Sequence, residues 1–329
     1  MRLVVARDVY IAGVTGLIEA ASWWPRPGLL KALSAAAGAL AYRVSRGKRH
    51  KILRNLGYVF PDRPSVELRS VARAVFQNFW IDVFHLAYYR HPEWVPSIPI
   101  AGEDHLRQAL NERTGVLLWE SNSFGFRNLA KLALARRGYR FVQVHLDSHL
   151  GALGSAGLEG SRVQERFLRP CFEQFSRPWA IRFIYLGKDG SLAPVRRLMT
   201  VLSRGEPVVS TMDGNWGHGS VGLPFLGTEL RFRSGALSAA RLTGATVLPL
   251  WCFRTSEGFR VLILPPVRPD LEERQGGAEI RQLVARLEEL VFTHPEQFYR
   301  WHTLPFPADA APETAEPAGP PAAHAPRAR

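Results

Sequence analysis

The sequence predicts an α/β protein, a mainly parallel sheet covered by helices on both faces, preceded by N-terminal membrane-docking helices. Three observations carry this. Between about residues 98 and 306, short β-rich runs alternate with helical ones, the order that builds a parallel sheet with crossover helices. Residues 20–61 hold no acid but eight Lys and Arg, directly behind an apolar helical pattern. From residue 306 the chain is Pro/Ala-rich and holds too little apolar side chain to offset its conformational entropy. The expected organisation is a helical membrane-docking segment over 1–60, an α/β domain over 61–305 and a disordered tail over 306–329, in which His324 is no site candidate.

Composition narrows the function classes. The 329 residues include 42 Lys plus Arg against 29 Asp plus Glu, a net charge of +13. At 46% apolar and 22% charged residues, wholesale disorder is excluded. Two cysteines, Cys171 and Cys252, frame no disulfide scaffold, and no Cys/His spacing suggests zinc; both are expected reduced in a core. The positive excess points to an anionic membrane, a nucleic acid or an acidic substrate.

At the N-terminus, residues 3–24 are apolar but interrupted by Arg7, Asp8 and Glu19. A spanning helix needs about 20 nearly uninterrupted apolar residues, and the clean run 9–18 is half that. No small-residue cleavage site suggests a signal peptide. Trp23 and Trp24 meet Pro25 and Pro27, which end the helix. A second helix over 29–42 runs into Arg43, Arg46, Lys48 and Arg49. Paired Trp beside basic residues suits an anionic leaflet, where each Lys or Arg contributes about 1 kcal/mol. The same helices also suit packing on the main domain. No nucleic-acid motif accompanies the charge, so nucleic acid is not an expected partner.

Residues 65–89 read as an aromatic-rich helix. A buried strand follows over 115–119, then a helix over 126–137 with Leu129, Leu132 and Ala133 on one face and Gly138 as its stop. Next come a strand over 140–145, a glycine-rich loop over 151–160 and a strand over 181–186. A helix over 191–204 has a Ser cap and Gly205 beyond its end. A strand over 207–212, a glycine-rich loop over 214–222 and a short helix over 235–242 follow. Residues 245–253 and 259–264 form a hairpin, and Ile280, Leu283, Val284, Leu287 and Leu290 mark a last helix. Neither glycine-rich loop opens a helix in a phosphate-binding pattern, so no nucleotide cofactor is expected.

Four stretches in order carry a family resemblance. They are Arg54-Asn55-Leu56 with Phe60-Pro61; residues 101–106 leading into Ser123-Phe124-Gly125; Asp213 to Gly219 with residues 223–227, 240–245 and 247–249; and His294 to His302. Together they resemble the bacterial lipid A biosynthesis (lauroyl/myristoyl) acyltransferases, a branch of the lysophospholipid acyltransferases. The resemblance implies transfer of a fatty acyl group from a thioester, acyl-ACP or acyl-CoA, to a hydroxyl of a lipid or glycolipid. It places this at the cytoplasmic face of the bacterial inner membrane, held peripherally or by a single N-terminal anchor, with no metal or bound cofactor. The family's base is a His followed five positions later by an acid; Ser123 and Asn128 occupy those positions here. A Ser hydroxyl is no base near neutral pH, and Asn carries no compensating charge.

Three readings stand open. In the first, another group is the base: His218 first, with His145, Asp147 and Glu120 behind it and Asp213 at a strand end. In the second, Ser123 on a strand-to-helix turn is a nucleophile. In the third, the chain is a non-catalytic member that binds lipid or a partner subunit. The family-like cleft is bordered by Phe124, Gly125, Arg127, Phe225 and Gly227. Arg162 and Arg166, with Arg169, would pair with phosphates of the head group or thioester carrier, or form a solvated helix face.

Overall fold

In the computed structural model, the described residues are 6–146, 169–186, 192–211, 213, 220–267 and 277–306. His218, Asp147, Arg162, Arg166, the loop over 151–160 and the tail from residue 307 lie outside them. Seven strands make the main sheet: β1 (Ile100–Ala101), β2 (Val116–Glu120), β3 (Phe141–Leu146), β4 (Ala180–Leu186), β5 (Pro207–Thr211), β8 (Thr246–Thr255) and β9 (Gly258–Ile263). A separate antiparallel hairpin joins β6 (Ser220–Phe225) to β7 (Thr228–Arg233). The sheet order is β1-β9-β8-β2-β5-β3-β4. Every pairing is parallel except the β8–β9 hairpin.

Strand β2 shows why the sheet is covered on both faces. All five of its residues are buried, and successive side chains enter opposite layers. Val116 and Leu118 join one core with α6 (Arg127–Arg136) and α1 (Ala6–Ser22). Leu117 and Trp119 join the other, with α8 (Ala193–Ser203), α9 (Gly235–Thr243) and α10 (Gly277–Thr293). The remaining helices are α2 (Pro27–Val44), α3 (Arg46–Val59), α4 (Ser65–His85), α5 (Glu103–Glu112) and α7 (Arg169–Ser176).

The break between α1 and α2 falls at Trp23 to Arg26, with Pro27 in the first turn of α2, where a missing N–H costs nothing. Both helices lie on the body: Ile11, Val14, Ile18 and Leu30 are buried in the first core. No described helix is long and apolar enough to cross a membrane. The basic run does not trail off the second helix. After Ser45 it becomes α3, whose Asn55 donates to the carbonyls of Trp301 and Leu304 at 2.6 and 3.1 Å. The sequence hid this helix because its first turns are nearly all charged.

Three local expectations are corrected. The helix expected from residue 191 starts at Ala193, capped by Leu192 without a side-chain bond, because Pro194 sets its first turn. Gly222 belongs to β6 rather than to a loop; a side chain there would run into the Glu229 carboxylate across the hairpin. Phe306, the first residue of the expected tail, is buried, with its ring centroid 4.1 Å from that of Tyr58. Both cysteines are free, Cys252 buried but Cys171 only half-buried.

Candidate active site

Strand β2 ends at Glu120, between Thr211 of β5 and Leu250 of β8. From here the chain runs through α6 to β3 on one side, while β5 is followed by elements that return to β8 on the other. The carboxyl ends of β2 and β5 therefore flank a topological switch point, the place where open parallel sheets bind ligands. The turn 121–126 after β2 and Asp213 after β5 meet there.

Asp213 clamps the turn. Its carboxylate accepts the Asn122 N–H at 2.5 Å and the Ser121 hydroxyl at 3.2 Å. Ser121 Oγ in turn accepts the N–H groups of Ser123 and Phe124 at 3.0 and 3.1 Å. The C-terminal segment closes the other side: Tyr299 N–H donates to the Ser123 carbonyl at 2.6 Å, and Gly125 N–H to the Gln297 carbonyl at 3.0 Å. Tyr299 Oη donates to the Gly125 carbonyl at 2.7 Å. Gly125 has φ +72°, and a Cβ there would collide with the Cys252 carbonyl, so only glycine fits.

Ser123 and Asn128, where the resemblance implies the dyad, are both buried. Ser123 is 0% exposed, and its hydroxyl has no hydrogen-bond partner among the described residues. Asn128, in the first turn of α6, faces Asp82 of α4. Its backbone N–H donates to Asp82 Oδ1 at 3.1 Å and its amide to Oδ2 at 3.0 Å. Burial pushes the Asp82 carboxyl up to about 6; Arg127, Lys131 and the Asn128 N–H pull it back down. Glu120 is buried and paired with Lys131, which donates to its two oxygens at 2.8 and 3.1 Å. Burial lowers the Lys131 pKa, and Glu120 opposes that shift.

The other candidates separate. Phe124 is buried and forms an antiparallel bridge with Phe298, while Arg127 is partly exposed at the start of α6. Phe225 is a core residue, its ring 5.9 Å from Phe232 and 5.6 Å from Phe298. Gly227 sits exposed in the β6–β7 turn. Arg169 lies over the Tyr185 ring at 4.4 Å. His145 stacks with Phe183 and Tyr185, and burial lowers its pKa to about 3.

Trp23 and Trp24 are 68% and 57% exposed, with Arg90 and Arg26 over their rings at 4.4 and 4.2 Å. Arg43 and Arg46 are exposed, whereas Lys48 and Arg49 lie over aromatic rings.

Asp82, Lys131 and Tyr299 were not singled out from sequence. A signal for Asp82 existed: Asn78, Asp82 and His85 form a polar stripe at helical spacing among the aromatic and aliphatic residues that fill the second half of α4. Its meaning depended on knowing that α4 packs against α6.

Residues 9–126 and 183–304 match the family described as bacterial lipid A biosynthesis acyltransferase. The chain is also similar to the phosphatidylinositol mannoside acyltransferase of Mycolicibacterium smegmatis, with 23% identity over 297 residues, covering 88% of this chain and 90% of that relative. With a parallel sheet, a latched turn at its switch point and a match across most of its length, the chain belongs to the bacterial lipid A biosynthesis acyltransferase family.

Proposed function

We propose that the protein moves a fatty acyl group from a thioester donor, acyl-ACP or acyl-CoA, to a hydroxyl of a lipid or glycolipid at the turn 121–126. The observation that supports this reading is the Asp213 clamp, which keeps the turn rigid at the switch point although both dyad positions differ. The relative's name makes a phosphatidylinositol mannoside one acceptor of the right class.

In this reading His218, five residues after Asp213 in sequence, takes the proton of the acceptor hydroxyl. The hydroxyl oxygen attacks the thioester carbonyl carbon, the C–S bond breaks, and the imidazolium returns its proton to the departing thiolate. Asp213 holds the turn in position beside the reacting groups. The chain docks peripherally at the cytoplasmic face of the inner membrane through Trp23, Trp24 and the exposed Arg43 and Arg46, a reading supported by the exposure of both indoles.

A second reading, a non-catalytic member that binds lipid or a partner subunit, is favoured by the fully buried Ser123 and by the Asn128–Asp82 contact, which put neither an imidazole nor a carboxylate side chain at positions 123 and 128. Lipidomics on cells lacking the protein, paired with turnover of acyl thioester by the purified chain, separates the two. A missing acylated lipid with turnover that His218→Ala abolishes supports the transferase. An unchanged lipidome and no turnover support the binding reading.

A further inference from the structure

Three helices meet at a seam outside the turn just described. Tyr42 comes from the last turns of α2, Lys48 and Arg49 from the first turn of α3, and Arg73, Phe76 and Phe79 from α4. The Tyr42 and Phe76 rings pack edge to face, 5.7 Å between centroids. On this platform Lys48 Nζ lies 5.4 Å from the Phe76 centroid and 5.5 Å from that of Phe79. Arg49 and Arg73 lie over the Tyr42 ring at 5.2 and 5.6 Å. Arg49 is further fixed by a 2.9 Å bond from Nη1 to the Tyr42 carbonyl.

No carboxylate among the described residues pairs with Lys48, Arg49 or Arg73. Aromatic faces attract cations but cancel no charge, and three cations on contiguous rings repel one another. Lys48 is held below its ordinary pKa by burial, so it feels the lack of a counter-ion most. The excess potential reaches further: His302 has its pKa lowered to about 3, first by burial and then by Lys48, Arg300 and Lys51. Cations pre-positioned without a counter-charge are what an incoming anion needs, since the cost of gathering them is met in the fold.

We propose that Lys48, Arg49 and Arg73, held on the Tyr42–Phe76–Phe79 rings, form a binding site for the phosphoryl group of a lipid head group. The seam adjoins the proposed active site, since Phe79 packs edge to face on Tyr299 at 5.8 Å, and Tyr299 bonds the turn at Ser123 and Gly125. A phosphate held here anchors the acceptor lipid beside the turn. The phosphoryl chemistry stands by itself; only its assignment to a membrane lipid rests on the docking reading.

The test uses the full chain. Binding to phosphatidylcholine vesicles, with and without phosphatidylglycerol, is measured beside binding of soluble coenzyme A, for Lys48→Met, Arg73→Gln and the control Arg107→Gln, an exposed arginine of α5 outside the seam and the docking segment. Loss of one charge-assisted phosphate contact is expected to weaken vesicle binding about tenfold for Lys48→Met and Arg73→Gln, and less than about twofold for Arg107→Gln. The same dependence seen with coenzyme A alone keeps the site and assigns its phosphate to the soluble carrier, while membrane docking falls. Equal losses for all three variants mean diffuse surface charge, and no loss for Arg73→Gln means no site; either overturns the proposal. Arg73 is exposed, so its variant remains informative if Lys48→Met fails to fold.

Discussion

Asn128 donates its side-chain amide to Asp82 Oδ2 at 3.0 Å, while its backbone N–H reaches Oδ1 at 3.1 Å. The position where the family resemblance implies a catalytic acid is therefore occupied by an amide that serves a carboxylate from another helix. An acid at 128 would press two carboxylates together in a buried place, so residues 82 and 128 are physically coupled.

That coupling predicts a charge swap. Asn128→Asp is expected to destabilise the protein by about 3–5 kcal/mol near pH 8, the range for an uncompensated buried charge. Adding Asp82→Asn should recover most of the loss, since the pair again holds one carboxylate and one amide. Urea denaturation of both single variants and the double variant measures this; equal instability of Asn128→Asp and the double variant would sink the coupling.

The same contact constrains reconstruction of the dyad. Ser123→His with Asn128→Glu alone should gain no acyl transfer, because the introduced carboxylate would meet that of Asp82. With Asp82→Asn added, the general base would contribute about 10²–10⁴-fold if the imidazole fits the buried Ser123 position. Steady-state transfer rates with acyl-CoA decide between the two variants.

Asp82 also makes stability depend on pH. Its carboxyl rises from an ordinary 3.8 to about 6 on folding, so the folded state holds its proton where the unfolded chain has released it. Stability from this group therefore falls as pH rises from about 4 to 6, by an order-of-magnitude total of about 3 kcal/mol. Asp82→Asn should remove that slope, leaving variant and parent most alike near pH 4 and the variant favoured above pH 6. Thermal denaturation across this range tests it; parallel curves would show that Asp82 titrates normally.

Lys131 and Glu120 form a second buried pair under the same turn. Lys131→Met leaves Glu120 buried without its partner and is expected to cost about 3–5 kcal/mol. Lys131→Met with Glu120→Gln should be markedly milder, because no ion then remains. A double-mutant cycle by chemical denaturation gives the pairwise energy directly.

Asp213→Ala removes the acceptor for both Asn122 N–H and Ser121 Oγ. A loss of about 1–3 kcal/mol is expected from the unmade bonds. Amide hydrogen exchange at Asn122 and Ser123 should accelerate well beyond that of β2. Unchanged protection at these amides would mean that the C-terminal segment alone holds the turn.

Much of the fold was legible in the sequence because it rests on local patterns. Alternating β-rich and helical runs, Gly205 and Gly138 as helix stops, and the Pro25–Pro27 break are set by side-chain period and backbone restriction, which act within a few residues. Ser123 and Asn128 drew notice for the same reason: the resemblance sets them at its dyad positions by a spacing of five residues along the sequence. Only the tertiary structure decided what those residues touch. Asp82 meets Asn128 across 46 positions, and Asp213 meets Asn122 across 91. Helix packing and strand order set those distances, and neither leaves a mark in local spacing.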